Sequence, residues 1–524
     1  MKSRTAQCPA CGGPVTFKVS TSLVAVCDYC HSVVARGDKK PEDCGKISDI
    51  AELNSPITSG MTGSYQNKAF HVTGCVQYQH PSGAVWNEWY LCFPGEKWGW
   101  LAEAQGNLYL MFEQRLKSGS SLANFDTIKI GQSFAVREDS LSVTEKAIAQ
   151  VAGAQGEIPW AVRPGLEHRY ADLKSTQGLI GTLDFGETES RFFLGKRVNL
   201  ESLGLSANSN WQAPKDIAVN ALQVSCPHCG GSLQLFAPDS SLRVTCPSCN
   251  SLLETRQGNL AYLETLGGRK VNPVLPLGSK GQLLGKEYVV VGFMQRFVLH
   301  NGTSFPWSEY LLYNPEVHFR WLVKTRDGHW SFVEQIDYPA NPDMGDLVFH
   351  ETKQFRKYSQ GDATVSYVVG EFPWKVHIGQ RTKISDYIAP PSMLSFEKAL
   401  TDGQQEGEEV NQEVTVSKGT YVSIEEIEKG FALDDLRRPL GVGSIQPSPK
   451  IGMNYLWATV GFFLFMAITF QVMKWMHPRN PPNSSMLWTG FSLIAILPAL
   501  VLVYKYSFEV KRWHNSEYNP YSRE

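Results

Sequence analysis

A mainly β fold follows from three features of the 524-residue sequence. Aromatic and β-branched runs are cut every few residues by Gly, Asn and Pro; a long internal repeat covers most of the chain; and two apolar stretches are confined to the carboxyl end. The expected architecture is two tandem units, each a cysteine-stapled ribbon followed by an antiparallel β barrel or sandwich, and then a two-helix transmembrane hairpin. At 19% charged and 42% hydrophobic residues, the chain is too apolar to be disordered and too polar to lie mostly in a membrane. A formal net charge of −2 supplies no global field for nucleic acid.

The ribbons rest on cysteine spacing. Of eleven cysteines, eight form four Cys-x-x-Cys pairs; Cys44, Cys75 and Cys92 remain. An odd total argues against a full disulfide framework, and paired spacing argues for metal. No apolar leader opens the sequence, which together with the metal reading places the thiols in a reducing cytoplasm. Cys8, Cys11, Cys27 and Cys30 form one set, and Cys226, Cys229, Cys246 and Cys249 the other. The spacing is that of zinc ribbons over 1–40 and 222–258, with a β-hairpin bringing two knuckles together. Two zinc ions are expected, each held by four thiolates that leave no position open for substrate, so both sites are structural. His31 and His228, beside ligand positions, are read as bystanders. Ribbon one is locally basic (Lys2, Arg4, Lys18, Arg36, Lys39, Lys40) and ribbon two is not. Nucleic-acid binding through the first ribbon is therefore a minor alternative.

The repeat extends well past the knuckles. "GSYQNKAFHVTG" (63–74) returns as "GQLLGKEYVVVG" (281–292), "WNEWYLCF" (86–93) as "WSEYLLYN" (307–314), and "GEIPWAV" (156–162) as "GEFPWKV" (370–376); Asp172 and Asp386 follow at one offset. This marks β-rich domains over 45–205 and 270–436. The helical candidates within them are short: Val143–Ala152 and Ile424–Leu433. Cys75 and Cys92 sit in apolar runs and read as inert core thiols. Trp86, Glu88, Trp160, Trp307, Glu309 and Trp374 recur between the copies. Their plain reading is packing and ion pairing; their sharper one is a carboxylate and aromatic pocket for a small cationic ligand. No nucleophile elbow, P-loop, dinucleotide fingerprint or HExxH appears, so no catalytic residue is assigned and an enzyme is not the leading expectation.

The pattern G-K-x-Y/F-x-V-x-G, W-x-E-W/Y, W-L and G-E-x-P-W resembles the DUF4178 domain of bacterial proteins, twice. The resemblance implies no mechanism. It does carry an association with genes for polyamine-metabolism-like enzymes and membrane-stress proteins. An enzyme or sensor accessory to polyamine-related modification or membrane stress is therefore the second reading.

After a linker at 437–453, Tyr455–Met473 and Met486–Tyr504 are free of charge, and each is long enough to cross a hydrocarbon core. Transmembrane helices are expected over 455–476 and 485–506. Arg437, Arg438, Lys450, Lys505, Lys511 and Arg512 flank the hairpin, against Lys474 and Arg479 at its turn. The positive-inside rule then puts both termini and the soluble domains in the cytoplasm of a bacterial inner membrane. The leading expectation is a membrane-anchored adaptor whose duplicated β domains recognise a protein, including another membrane protein, or a small molecule.

Overall fold

The computed structural model of the chain describes residues 4–17, 24–30, 32–35, 42–46, 55–95, 97–114, 124–136, 138–160, 162, 165–186, 190–205, 222–236, 241–256, 259–265, 271–300, 302–340, 345–400, 411–449, 453–480 and 482–521. Ribbon one is built of two hairpins, β1 (Arg4–Gln7) with β2 (Pro14–Phe17) and β3 (Val24–Val26) with β4 (Ser32–Ala35); β5 (Glu42–Lys46) adds to β4. Each Cys-x-x-Cys pair is the turn of its own hairpin. One hairpin does not carry both knuckles, as the sequence suggested, because a knuckle is itself a tight turn and reverses the chain. Ribbon two repeats the plan with β16 (Leu222–Ser225), β17 (Ser232–Leu235), β18 (Arg243–Thr245), β19 (Ser251–Arg256) and β20 (Asn259–Thr265).

The first β domain comprises β6 (Thr62–Tyr65), β7 (Lys68–Gln79), β8 (Val85–Phe93), β9 (Lys97–Ala104), β10 (Asn107–Glu113), β11 (Ser133–Val136), β12 (Asp139–Ile158), β13 (Glu167–Lys174), β14 (Leu179–Phe185) and β15 (Ser190–Val198). Antiparallel pairing runs β7-β8-β9-β10-β15-β14-β13-β12 and returns to β7, so the domain is a closed barrel, not a sandwich. The second domain has β21 (Lys280–Leu283), β22 (Lys286–His300), β23 (Thr303–Asn314), β24 (His318–Thr325), β25 (Trp330–Gln335), β26 (Leu347–His350), β27 (Lys353–Phe372), β28 (Arg381–Ala389), β29 (Ser392–Leu400) and β30 (Gln412–Val422). It closes in the same order, β22-β23-β24-β25-β30-β29-β28-β27 and back to β22.

The expected helix at Val143–Ala152 is instead the middle of the twenty-residue strand β12. Its alanines mislead. Ala147 and Ala149 are fully buried because small side chains fit a crowded barrel wall, and tertiary packing overrides their helix propensity. The other candidate is helical: α1 (Ile424–Phe431) opens on a Ser423–Glu426 capping box and ends at Ala432 in the left-handed region.

The repeated "GE-PW" motif marks where the long strand leaves the barrel. The end of β12 pairs with ribbon strand β3 (Glu157 opposite Ala25), and β27 pairs with β18 (Val244 opposite Glu371). Gly156 has φ 70° and Gly370 φ 95°. A Cβ at Gly156 would lie 2.3 Å from Thr73 O, and one at Gly370 2.4 Å from Val291 O. Only glycine fits there, on both conformational and steric grounds.

The barrels also meet each other. β12 pairs with the start of β30 through Glu145 opposite Glu413, and Asp337 of the second unit receives Tyr109 OH (3.3 Å) and Lys174 Nζ (3.4 Å) of the first. After the second barrel come α2 (Met453–Met476) and α3 (Ser484–Arg512). Trp457–Met476 is long and apolar enough to cross a membrane and lies wholly outside the packed interior. The second expected span falls within α3, where several side chains lie outside the described residues. Arg512, fully buried, donates to the carbonyls of Ser444 (2.9 Å) and Gln446 (2.7 Å), which precede α2, and to Glu509 (2.9 Å). The segments on either side of the helix pair are thereby tied together.

Gly156→Ala is expected to destabilise the first unit by about 2 kcal/mol or more, from strain at positive φ plus overpacking. Gly95→Ala, with positive φ but open space around it, should cost about 1 kcal/mol. Denaturant midpoints of the two variants check this ordering.

Candidate metal centres and barrel interiors

All eight expected metal ligands are described and fall into two clusters, each with its four sulfurs within 4.8 Å of one another. Cys8 and Cys30 Sγ are 3.6 Å apart and Cys11 and Cys27 Sγ 3.7 Å; the matching pairs in ribbon two are 3.9 and 3.8 Å. A tetrahedron with Zn–S bonds near 2.3 Å has sulfur–sulfur edges of about 3.8 Å, whereas a disulfide is about 2.05 Å. The donor set therefore fits zinc and does not fit disulfides.

The knuckle amides support thiolates: Gly13 N donates to Cys11 Sγ and Gly231 N to Cys229 Sγ, both at 3.4 Å. Ser32 Oγ lies 3.4 Å from Cys30 Sγ, and Ser251 Oγ 3.1 Å from Cys249 Sγ. These serines lead in drawing the two thiols down, Cys30 to about 6 and Cys249 to about 5. His228 Nδ1 is 3.1 Å from Ser251 Oγ, so it orients a group that touches the ligand sulfur and is no bystander. His31 and the basic residues Lys2, Lys18, Arg36, Lys39 and Lys40 lie outside the described residues, as does the Arg4 side chain. Cys75 and Cys92 are buried in the first barrel, and burial pushes the Cys75 thiol well up, as expected of inert core thiols. Cys44 has no described side chain.

The six recurring Trp and Glu positions divide. Trp160 and Trp374 pack at the ribbon end of each barrel, Trp160 edge-on to Tyr90 (4.6 Å) and Trp374 against Trp321 (5.5 Å). Trp86 and Glu88 are brought together inside the first barrel, where Trp86 Nε1 donates to Glu88 Oε1 at 3.0 Å; Trp307 Nε1 donates to Glu309 Oε1 at 2.6 Å in the second. Period-two alternation places both members of each pair on the inward face of one strand.

The neighbours of these pairs went unread in the sequence. In the second barrel Arg296 Nη1 donates to Glu309 (3.2 Å) and Glu397 (3.1 Å), with its guanidinium 5.7 Å from the Trp307 ring. Asp386 accepts from Ser359 (2.8 Å) and Ser395 (2.7 Å). In the first barrel Tyr90 OH reaches Glu88 (3.4 Å), Thr182 donates to Asp172 (2.6 Å), Tyr170 donates to Glu145, and His168 Nδ1 lies 3.6 Å from Asp184. Tyr78, Trp86, His168 and Tyr170 pack ring to ring around this group, Trp86 edge-on to Tyr170. Burial pushes Glu88 and Glu145 well above the carboxylate range and Asp172 to about 6, and pushes His168 down. Glu157 and Glu371 serve the ribbon joint; Glu371 accepts from Phe236 N (2.6 Å) and Ser241 Oγ (2.9 Å).

Residues 58–200 and 276–424 each match the family described as domain of unknown function DUF4178, and together they make up more than half of the chain. The chain belongs to that family, in two tandem copies. Comparison with curated proteins and with solved structures finds no match.

Two measurements test these centres. Elemental analysis should find about two zinc per chain, falling to about one in Cys226→Ser, with loss of the ribbon-two fold and retention of the first. For Asp172 the folded value lies above the ordinary one, so its protonation favours folding. That contribution is fully present below about pH 4 and is lost as pH rises to about 6. Asp172→Asn should therefore flatten the decline in unfolding midpoint across that window and stabilise the first barrel at neutral pH.

Proposed function

We propose that this member of the DUF4178 family is a membrane-anchored binding protein, with two structural zinc ribbons stapling two β barrels that present binding surfaces on the cytoplasmic side of a bacterial inner membrane. The observation that carries the anchor is the helix pair. Phe462, Leu464, Phe465, Ile468 and Trp475 of α2 are exposed beside well-packed barrels, and lipid is the environment in which such a face is stable. The Arg512 clasp supports a hairpin whose two ends lie on one side of the bilayer. Zinc fills four-sulfur sites with no open position, so it stabilises the ribbons and takes no part in chemistry. The barrel interiors are lined by carboxylates and aromatic rings, a lining suited to recognising a cationic group. The recognised partner is a protein or small molecule, and a second membrane protein fits the exposed helix faces. The buried acidic groups of the first barrel favour one alternative, a sensor of cationic metabolites serving polyamine-related modification.

With a membrane-impermeant maleimide on intact cells, Asn480→Cys in the helix turn should label, and Tyr521→Cys should label only after permeabilisation. Recovery of the protein in the soluble fraction would overturn the anchor, and the opposite labelling pattern would reverse the topology.

A further inference from the structure

The two barrels differ at one interior position that their common fold makes equivalent. Counting four residues on from the strand glycines Gly74 and Gly292 gives Tyr78 and Arg296. Tyr78 lies opposite Trp86 across β7–β8, and Arg296 lies opposite Trp307 across β22–β23. The acids around them also correspond. Glu88 matches Glu309 two residues beyond each Trp. Asp184 matches Glu397, since Asp184 is paired with Tyr170, two residues before Asp172, and Glu397 with Ile384, two residues before Asp386.

In the second barrel those two carboxylates hold a guanidinium over a tryptophan face, supplied by the chain itself. In the first barrel the carboxylates and the tryptophan remain and the guanidinium does not. The position over Trp86 is taken by the Tyr78 ring, at 5.4 Å and nearly parallel. Glu145 enlarges the acidic group, since it lies opposite Asp172 where Ser359 lies opposite Asp386; His80 Nε2 stands 3.6 Å from it, and Lys174 is turned to Asp337. A buried carboxylate is stable when paired or protonated. Asp184 (23% exposed) and His168 (11%) put this group in reach of solvent at the barrel mouth.

We propose that the first barrel is a binding site for a guanidinium group from outside the chain, received between Glu88 and Asp184 against the Tyr78 and Trp86 rings, while the second barrel is the self-occupied copy. The proposal rests on reading the barrels as binding modules but is independent of the membrane anchor. The guanidinium arrives either on a small molecule or on an arginine side chain of a peptide; planar forked donors and cation–π contact suit both.

The test is calorimetry on the full zinc-loaded chain in lipid nanodiscs, with two probes: ethylguanidinium and acetyl-Gly-Arg-Gly-amide. One saturable site per chain is expected for at least one probe, and the tighter probe identifies the source. Glu88→Gln and Asp184→Asn should each weaken it at least about tenfold, as loss of one charged partner does. Tyr78→Arg, which restores the second barrel's own arrangement, should abolish binding while raising the unfolding midpoint of the first barrel. Glu309→Gln should leave affinity unchanged. Circular dichroism and a content of two zinc confirm folding, and should Tyr78→Arg fail to fold, the Asp184→Asn to Glu309→Gln contrast decides. Absence of saturable binding by either probe at millimolar concentration overturns the proposal, as does equal binding by wild type and folded Tyr78→Arg.

Discussion

Each unit depends on one strand that pairs with more partners than a strand ordinarily can. β12 runs twenty residues and is bonded in turn to β11, β13, β7 and the ribbon strand β3, and β27 repeats this with β26, β28, β22 and β18. A strand can change partners only by bending, and the bends are a bulge near its start and a left-handed glycine near its end. Barrel closure and ribbon attachment are thus one constraint. The metal knuckle does not dangle from the barrel; its sheet continues the barrel wall, and Val26 and Val33 of the ribbon enter the same buried core as Tyr90 and Trp100.

Duplication let one fold meet a single electrostatic problem in two ways. A glutamate is buried beside a tryptophan in each barrel. The second copy answers with Arg296, whose attraction offsets the desolvation of Glu309 and Glu397. The first meets Glu88 with the Tyr90 hydroxyl as well as the indole, and burial holds Glu88 and Glu145 well above their ordinary range. Burial raises Glu309 and Asp386 in the second copy too, but there Arg296 stands between two of the acids, and at the matching position the first copy has Tyr78. That difference is invisible in the shared motifs, because it lies at a position where the copies disagree.

Much of this was legible in the sequence. The two four-cysteine clusters, the two units, the β texture and the capped helix at Ile424 all follow from spacing, repetition and capping chemistry, which are local. Glu88 and Glu309 were legible as recurring residues but not as buried ones beside Trp86 and Trp307. Tyr78, His168, Asp184, Arg296 and Glu397 were missed because they converge from different strands through barrel closure. Tyr78 and Arg296 lie four residues past Gly74 and Gly292, so the repeat itself carries that contrast. Val143–Ala152 misled because alanine serves a helix through low entropy cost and a tight barrel wall through small size, and a sequence window does not separate the two.

The Arg512 clasp has a mechanical consequence. Beyond it, Trp513 enters a small core with Ile388 and Ile445, Tyr358 OH donates to Arg512 O at 3.0 Å, and Glu517 meets His300 at 2.8 Å. The carboxyl end of α3 is thus joined to the second barrel at several points. Contacts of this kind would let α3 act on that barrel as a lever. Because the two barrels share a sheet contact at Glu145 and Glu413, the lever ends at the acidic mouth of the first.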